Sequence, residues 1–208
     1  MSSIKKVFFT SDWHIGHEKS IEMDNRPFSD VEHMKRVLIN NFNASVPVDG
    51  VTYFLGDMGM CTSKELTSVM SQLNGIKILV LGNHDKGPNS MYNTGFDVVL
   101  YGAVLNLAKH RVTVSHCPLL DTFREDTTDM KGCDGTQLWH GNDRDTHKKL
   151  SFVNEGQFHL HGHIHSRKDK KVSKRIEDRQ LDVGVCANNY RPVSQSQVES
   201  FIARIINE

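Results

Sequence analysis

The sequence lacks an excess of charge of either sign. Its 208 residues carry 25 Lys and Arg against 25 Asp and Glu, so the formal net charge at pH 7 is zero. Proteins that coat nucleic acid depend on a surplus of basic residues, and that class is therefore not expected. A nucleotide or a short oligonucleotide is still compatible with this balance as a ligand.

Long apolar runs and paired cysteines are also missing. No stretch approaches the ~20 apolar residues of a membrane span, so no membrane association is expected. The first six residues lead directly into a strand pattern, and a signal peptide is not expected either. The four cysteines form no CxxC pair, and a chain of this length does not need disulfides for stability. These features predict a reduced, cytoplasmic protein with a single domain over residues 1–208.

Five short polar segments each follow a run that is typical of a β-strand. The segments are Ser11–His14, Gly56-Asp57, Gly82–Asp85, Ser115-His116 and Gly162–His165. The preceding runs are Val7–Thr10, Val51–Leu55, Ile76–Leu81, Arg111–Val114 and Gln157–Leu160. Taken singly, such Asp, Asn and His residues often cap helices, form turns or lie in the core. Their joint occurrence after strands favours one shared site, because strand ends at one edge of a sheet converge.

The segments between these runs indicate an α/β protein. Apolar spacing predicts helices over Asp30–Asn41, Ser63–Leu73 and Ser194–Ile206, the first two with Asp30 and Ser63 as N-caps. Strand–helix–strand order in the first half predicts parallel pairing. Further strands are expected over Phe96–Ala108 and Gln180–Val185, with Lys109-His110 as a tight turn before Arg111.

The five polar segments resemble those of the calcineurin-like metallophosphoesterase family, and the resemblance extends from Lys6 to about Ser194. Three further stretches are similar to a subgroup of small bacterial and phage-type predicted phosphoesterases. They are Gly16-His17, Asn25–Phe28, and Asp182–Val185 leading to Asn188–Val193. The resemblance implies a four-layer α/β/β/α sandwich, in which two mixed sheets are flanked by helices.

The resemblance also implies a centre of two divalent metal ions. The first ion would take Asp12, His14, Asp57 and His165, and the second Asp57, Asn83, His116 and His163. Asp57 would bridge the two ions. The mixture of oxygen and imidazole ligands leaves the identity of the metal open. Manganese is the ion expected, and Fe, Ni, Zn and Mg are also compatible with the ligand set.

The activity implied is phosphoester hydrolysis by attack of a metal-activated hydroxide, without a phospho-enzyme. His84 would protonate the leaving oxygen or stabilise the transition state, and Asp85 is expected to orient the His84 ring. His17, Arg26 and Arg191 are candidates for substrate binding, although Arg26 could equally anchor its own loop through an ion pair. A phosphodiester is favoured over a phosphomonoester, and a small nucleotide-type substrate fits the size and charge of the chain.

Several alternatives are left open by the sequence. A non-catalytic scaffold on the same fold is the rival function, although the intact Asn83-His84 and Gly162–His165 favour an enzyme. His159 and His161 are expected to pack or to support the ligands rather than bind metal. Trp13 and Phe28 could stack on a base or lie in the core. An inserted loop is expected over 121–151. The basic segment 166–179 is expected to be a solvated hairpin or an arm that faces the phosphate of a substrate.

Overall fold

The computed structural model describes residues 5–119, 150–166 and 179–207. The loop predicted over 121–151 and the basic segment 166–179 lie almost wholly outside these residues. No helix in the described ranges is long and apolar enough to cross a membrane.

Two mixed sheets form the centre of the fold. The first contains β1 (Val7–Thr10), β2 (Val51–Phe54), β3 (Ile76–Val80), β4 (Val98–Leu100) and β9 (Val193–Ser194), in the order β4-β3-β2-β1-β9. Only β9 runs antiparallel to its neighbour. The second contains β5 (Ala103–Leu107), β6 (His110–Val114), β7 (Phe158–His161) and β8 (Gln180–Asp182), in that order. Here β5 and β6 are antiparallel and the other pairs are parallel.

The described helices are α1 (Glu18–Met23), α2 (Val31–Ser45), α3 (Ser63–Met70), α4 (Pro88–Tyr92) and α5 (Gln195–Asn207). Successive residues of β1 point to opposite faces of the sheet. Phe8 therefore joins the core formed with the first four helices, whereas Phe9 joins the core between the sheets. Val198 and Ile202 of α5 also pack into the core between the sheets. The predicted α/β sandwich of two mixed sheets flanked by helices is confirmed.

The strand predicted over Phe96–Ala108 was wrong as a single element. It is two strands, β4 and β5, and they belong to different sheets. The tight turn is at Ala108-Lys109, whose positive φ angles of 49° and 66° fit a two-residue hairpin loop. Thr62 rather than Ser63 caps α3, because the Thr62 hydroxyl accepts from the Glu65 N–H at 3.2 Å. Periodicity alone does not locate such boundaries, since apolar residues continue across them.

Phe42 of α2 lies at the centre of the helix-side core. Its side chain is fully buried and its ring contacts Phe54 at 5.5 Å and Trp13 at 5.7 Å between centroids. Replacing Phe42 with Ala should lower the free energy of unfolding by about 3–5 kcal/mol, because it removes buried apolar contacts and leaves a cavity. Urea denaturation measures the loss. Val48→Ala, at a position that is 81% exposed, is the control and should change stability little.

Candidate metal centre

The seven predicted ligands come together where the carboxyl ends of strands from both sheets meet. The loops that follow these strands are connected by further hydrogen bonds, both within one sheet and between the two sheets. Within the first sheet, the Asp12 N–H donates to the Gly56 carbonyl at 3.1 Å. Across the sheets, the His163 N–H donates to the Asp12 carboxylate at 3.1 Å. The convergence predicted from the strand ends is therefore present, and it involves two sheets.

The first group of donor atoms is formed by Asp12, His14 and His165. Their ligand atoms all lie within 4.8 Å of one another. The Nε2 atoms of His14 and His165 are 3.0 Å apart, and His165 Nε2 is 3.5 Å from Asp12 Oδ1. The group is placed by β1 and by the turn that follows β7.

The second group is formed by Asn83, His116 and His163. Asn83 Oδ1 lies 2.9 Å from His116 Nε2 and 3.0 Å from His163 Nδ1, and the two ring nitrogens are 3.2 Å apart. Asp57 joins the groups, since its Oδ2 lies 3.7 Å from His14 Nε2 and 3.4 Å from His116 Nε2. Asp57 thus has the position expected of a bridging carboxylate.

This arrangement fits two metal ions. Metal–nitrogen bonds of about 2.1 Å place neighbouring ligand atoms about 3.0–3.4 Å apart at octahedral to tetrahedral angles. The donor atoms within each group show spacings close to this range. Two carboxylates, one amide oxygen and four imidazoles suit borderline divalent ions. The role of the seven residues as ligands nevertheless stays a prediction.

The backbone at the centre is unusual. Five of the seven residues have φ between 46° and 70°, the left-handed region that residues other than glycine rarely adopt. They are Asp12, His14, Asp57, His163 and His165. Such conformations cost energy and cluster at functional sites. The concentration here indicates that the loops are folded to aim side chains inward.

His163 is the central residue of a γ-turn. The Ile164 N–H donates to the Gly162 carbonyl at 2.8 Å, and φ of His163 is 70°. The same carbonyl lies 2.9 Å from His161 Nδ1, which must therefore carry the proton. His161 is fully buried and supports the turn without joining either donor group, as the sequence predicted.

Charge is concentrated in this centre. Burial lowers the pKa of His116, but the Asp57 and Asp12 carboxylates outweigh it and raise the pKa to about 9. Burial also lowers the pKa of His165, and Asp12 and Asp24 raise it to about 10. Conversely, burial opposes ionisation of Asp57, yet the His116 and His14 rings hold its pKa well below the usual range.

His84 and His17 flank the centre. The His84 N–H donates to Asp57 Oδ1 at 2.9 Å, and the ring is exposed with its centroid 5.8 Å from that of His14. The His17 ring lies 5.6 Å from the His14 ring on the partly exposed side, with its Nδ1 buried and unpaired. Both positions agree with access to a substrate, which stays a prediction.

Asp85 does not support the His84 ring as predicted. Its carboxylate accepts the backbone N–H groups of Gly82, Asp57 and Met58 at 2.8, 3.0 and 2.9 Å. Among the described residues it makes no hydrogen bond to the His84 ring. Asp85 therefore connects the loops that follow β2 and β3 through hydrogen bonds to their backbone N–H groups.

Arg26 lies in the position of a loop anchor, the alternative to substrate binding that the sequence offered. The residue is only 4% exposed. Its guanidinium donates to the Asp24 carboxylate and to the carbonyls of Asp12 and Trp13. Arg191 is exposed, and within the described chain no contact brings its side chain to the donor groups.

Two residues near the centre were missed by the sequence reasoning. Asp24 Oδ2 lies 2.9 Å from His165 Nδ1, and Cys117 Sγ lies within 4.8 Å of ring nitrogens of His116 and His163. Cys117 directly follows a predicted ligand, and this was an available signal. Asp24 offered no signal, because it lies in a segment without a recognisable ligand pattern.

The remaining aromatic and histidine predictions are resolved by burial. Trp13 is 1% exposed and lies in the helix-side core, and Phe28 packs against that core beside Tyr190. Neither is placed to stack on a base. His159 is fully buried and bonds to Thr113 Oγ1 at 2.8 Å, so it packs in the second sheet as expected.

The chain has clear relatives among phage proteins. The Gene 66 protein of Mycobacterium phage D29 is 31% identical over 195 residues, which cover 88% of this chain and 89% of that protein. The chain belongs to the family of this Gene 66 protein. The Gene 66 protein of Mycobacterium phage L5 is 29% identical over 209 residues, covering 99% of this chain and 98% of the phage protein.

Other comparisons are more limited. The uncharacterized protein MJ1445 of Methanocaldococcus jannaschii is 40% identical over 86 residues, which cover 40% of this chain and 49% of that protein. The match therefore spans about half the length of MJ1445. No protein-family model matches the chain.

One solved structure shares the fold. The protein of unknown function AQ665 from Aquifex aeolicus superposes with a TM-score of 0.70 at 23% identity, covering 95% of this chain and 99% of that one. A novel archaeal phosphodiesterase and Yfce, a phosphoesterase from E. coli, give TM-scores of 0.39 and 0.38 at 15% and 14% identity. They cover 88% of this chain and 84% and 79% of their own. These two likenesses are too distant to carry a functional inference.

Metal binding should release protons at neutral pH. With pKa values of about 9 and about 10, His116 and His165 are protonated at pH 7 when no metal is present. A metal must displace each proton, so the affinity at each position should rise roughly tenfold per pH unit until the pH passes these pKa values. Calorimetric titration with Mn²⁺ in two buffers of different ionisation enthalpy measures this release. Equal heats in both buffers would contradict it.

Gly162 should be required for metal binding. A Cβ at this position would overlap Ser11 Oγ and Asp12 Oδ2, so Gly162→Ala must displace the Asp12 carboxylate. We expect at least a tenfold loss of Mn²⁺ affinity, measured by equilibrium dialysis. Gly87→Ala is the matched control, because a Cβ there meets no atom within 4 Å. Unchanged affinity in Gly162→Ala would show that Asp12 is not a ligand.

Proposed function

We propose that the chain is a metal-dependent phosphohydrolase with two divalent ions, manganese being the favoured metal. The observation that carries the proposal is the pair of donor groups that share Asp57. Ions held there would activate water as the nucleophile and neutralise charge on the phosphoryl oxygens. The remaining catalytic tasks fall to side chains of this chain.

His84 is the proposed general acid. Its backbone is fixed to the Asp57 carboxylate, whereas its ring is exposed and makes no hydrogen bond to any described residue. A free ring nitrogen beside the centre can donate a proton to the leaving oxygen of the ester. Asp85 contributes indirectly, because its three backbone hydrogen bonds hold the loops that carry Asp57 and His84.

We favour a phosphodiester over a phosphomonoester. A monoester dianion needs more positive charge around it than a diester monoanion. Arg26, one of the cations expected to supply that charge, is buried and paired with Asp24. His17, which carries no fixed charge, lies on the partly exposed side of His14. A small nucleotide-type substrate remains part of the proposal, supported by the balanced charge of the chain.

Hydrolysis assays test the proposal directly. Metal-stripped protein supplied with Mn²⁺ should cleave a bis-aryl phosphodiester faster than a mono-aryl phosphate. His84→Ala should lower kcat by about 10²–10⁴-fold, because the leaving group loses its proton donor. His33→Ala is the control, since His33 lies on α2, where its ring contacts Ser29 and Phe28.

Each alternative has its own outcome. A preference for the mono-aryl ester would replace the diesterase proposal by a phosphatase. Two bound Mn²⁺ ions without hydrolysis of either ester would favour the non-catalytic scaffold. Full activity in His84→Ala would remove His84 from its proposed role.

A further inference from the structure

We propose that Asp24 is a positioning residue for one of the two metal positions, acting through His165 and held in place by Arg26. The inference rests on the proposed function, because it assumes that His165 binds metal. Neither Asp24 nor this use of Arg26 belongs to the ligand set expected from the sequence.

The contact between Asp24 and His165 fixes the tautomer of the ring. Asp24 Oδ2 lies 2.9 Å from His165 Nδ1, and a carboxylate oxygen can only accept, so the proton is on Nδ1. In the neutral ring that would bind metal, the lone pair is then on Nε2, which lies 3.5 Å from Asp12 Oδ1 and 3.0 Å from His14 Nε2. A carboxylate behind a ligand histidine orients the ring and makes it a stronger donor to metal.

Arg26 holds Asp24 from the other side. Its Nε and Nη2 donate to the same Oδ2 atom at 3.1 and 2.9 Å. Its Nη1 donates to the Trp13 carbonyl and its Nη2 to the Asp12 carbonyl, both at 3.1 Å. The guanidinium therefore locks the Asp24 carboxylate to the backbone of the segment that carries Asp12 and His14.

These contacts engage Oδ2 of Asp24. Asp24 is 6% exposed, and Oδ2 faces His165 Nδ1 and the Arg26 guanidinium. Within the described residues, Asp24 belongs to none of the donor groups that could hold a metal. The Asp24 carboxylate forms an ion pair with Arg26, and together they support the His165 ring.

At the second metal position, His116 is held differently. His116 Nδ1 lies 2.7 Å from the Leu55 carbonyl, a neutral acceptor. His165 is thus supported by a carboxylate, whereas His116 is supported by a backbone carbonyl. Loss of the Asp24 charge should therefore weaken one metal position and spare the other, which general damage to the fold would not do.

The test is the binding of Mn²⁺ to the Asp24→Asn variant. Binding is measured by equilibrium titration and by electron paramagnetic resonance. Asn keeps the shape and an acceptor oxygen but removes the charge. We expect affinity at one position to fall about 10–100-fold and affinity at the other to stay within about threefold. The spectrum of a coupled ion pair should give way to that of a single ion. Asp30→Asn, the same change at the exposed cap of α2, is the control and should bind two ions normally.

The outcomes separate this inference from the proposed function. If Asp24→Asn binds both ions as tightly as the unmodified chain, the inference is wrong and the proposed function stands. Equal weakening at both positions, with Asp30→Asn intact, also overturns it. If the unmodified chain binds no Mn²⁺, both the proposed function and this inference fail.

A second measurement reads the tautomer in the unmodified chain and uses a variant only for assignment. In the chain loaded with diamagnetic Zn²⁺, nitrogen-15 NMR should show the His165 ring protonated at Nδ1. The signal is assigned by its loss in His165→Gln. A His165 ring protonated at Nε2 would contradict the proposed support by Asp24.

Discussion

Asp57 connects most parts of the site. Its Oδ2 lies between the rings of His14 and His116, and its Oδ1 accepts the backbone N–H of His84. Its own backbone N–H donates to the Asp85 carboxylate. A single residue at the end of β2 thereby fixes both donor groups and the proposed general acid relative to one another. To reach this position, the Asp57 backbone adopts the left-handed conformation, which is higher in energy for a residue other than glycine.

The centre is a balance of buried charges. Carboxylates that lose their hydration must be paired with positive charge, and without metal the protons on His116 and His165 supply it. Divalent ions would replace those protons. The same histidines therefore explain how the centre tolerates two buried carboxylates, Asp12 and Asp57, before any ion is bound.

Histidine has three different uses in this fold. At the centre, His14 and three other rings provide candidate ligands, while the rings of His84 and His17 lie beside His14. On the second sheet, His159 and His161 are fully buried and make hydrogen bonds to Thr113 and to the Gly162 carbonyl. The 12 histidines of the sequence thus do not all belong to metal chemistry, and burial together with the hydrogen-bond partner separates these roles.

The strand pattern of the sequence was sufficient to locate the residues that gather at the centre. Asp12 and Asp57 follow neighbouring parallel strands, and their convergence follows from parallel pairing. His116 follows a strand of the other sheet, so its approach to them depends on how the two sheets pack, and so do the side-chain contacts around the centre. Asp24 and His165 are 141 positions apart, and their contact depends on how the end of α1 lies against the loop that follows β7. The hydrophobic periodicity of the sequence does not predict a contact between residues so far apart along the chain, because hydrogen bonds between side chains depend on the packing of whole elements.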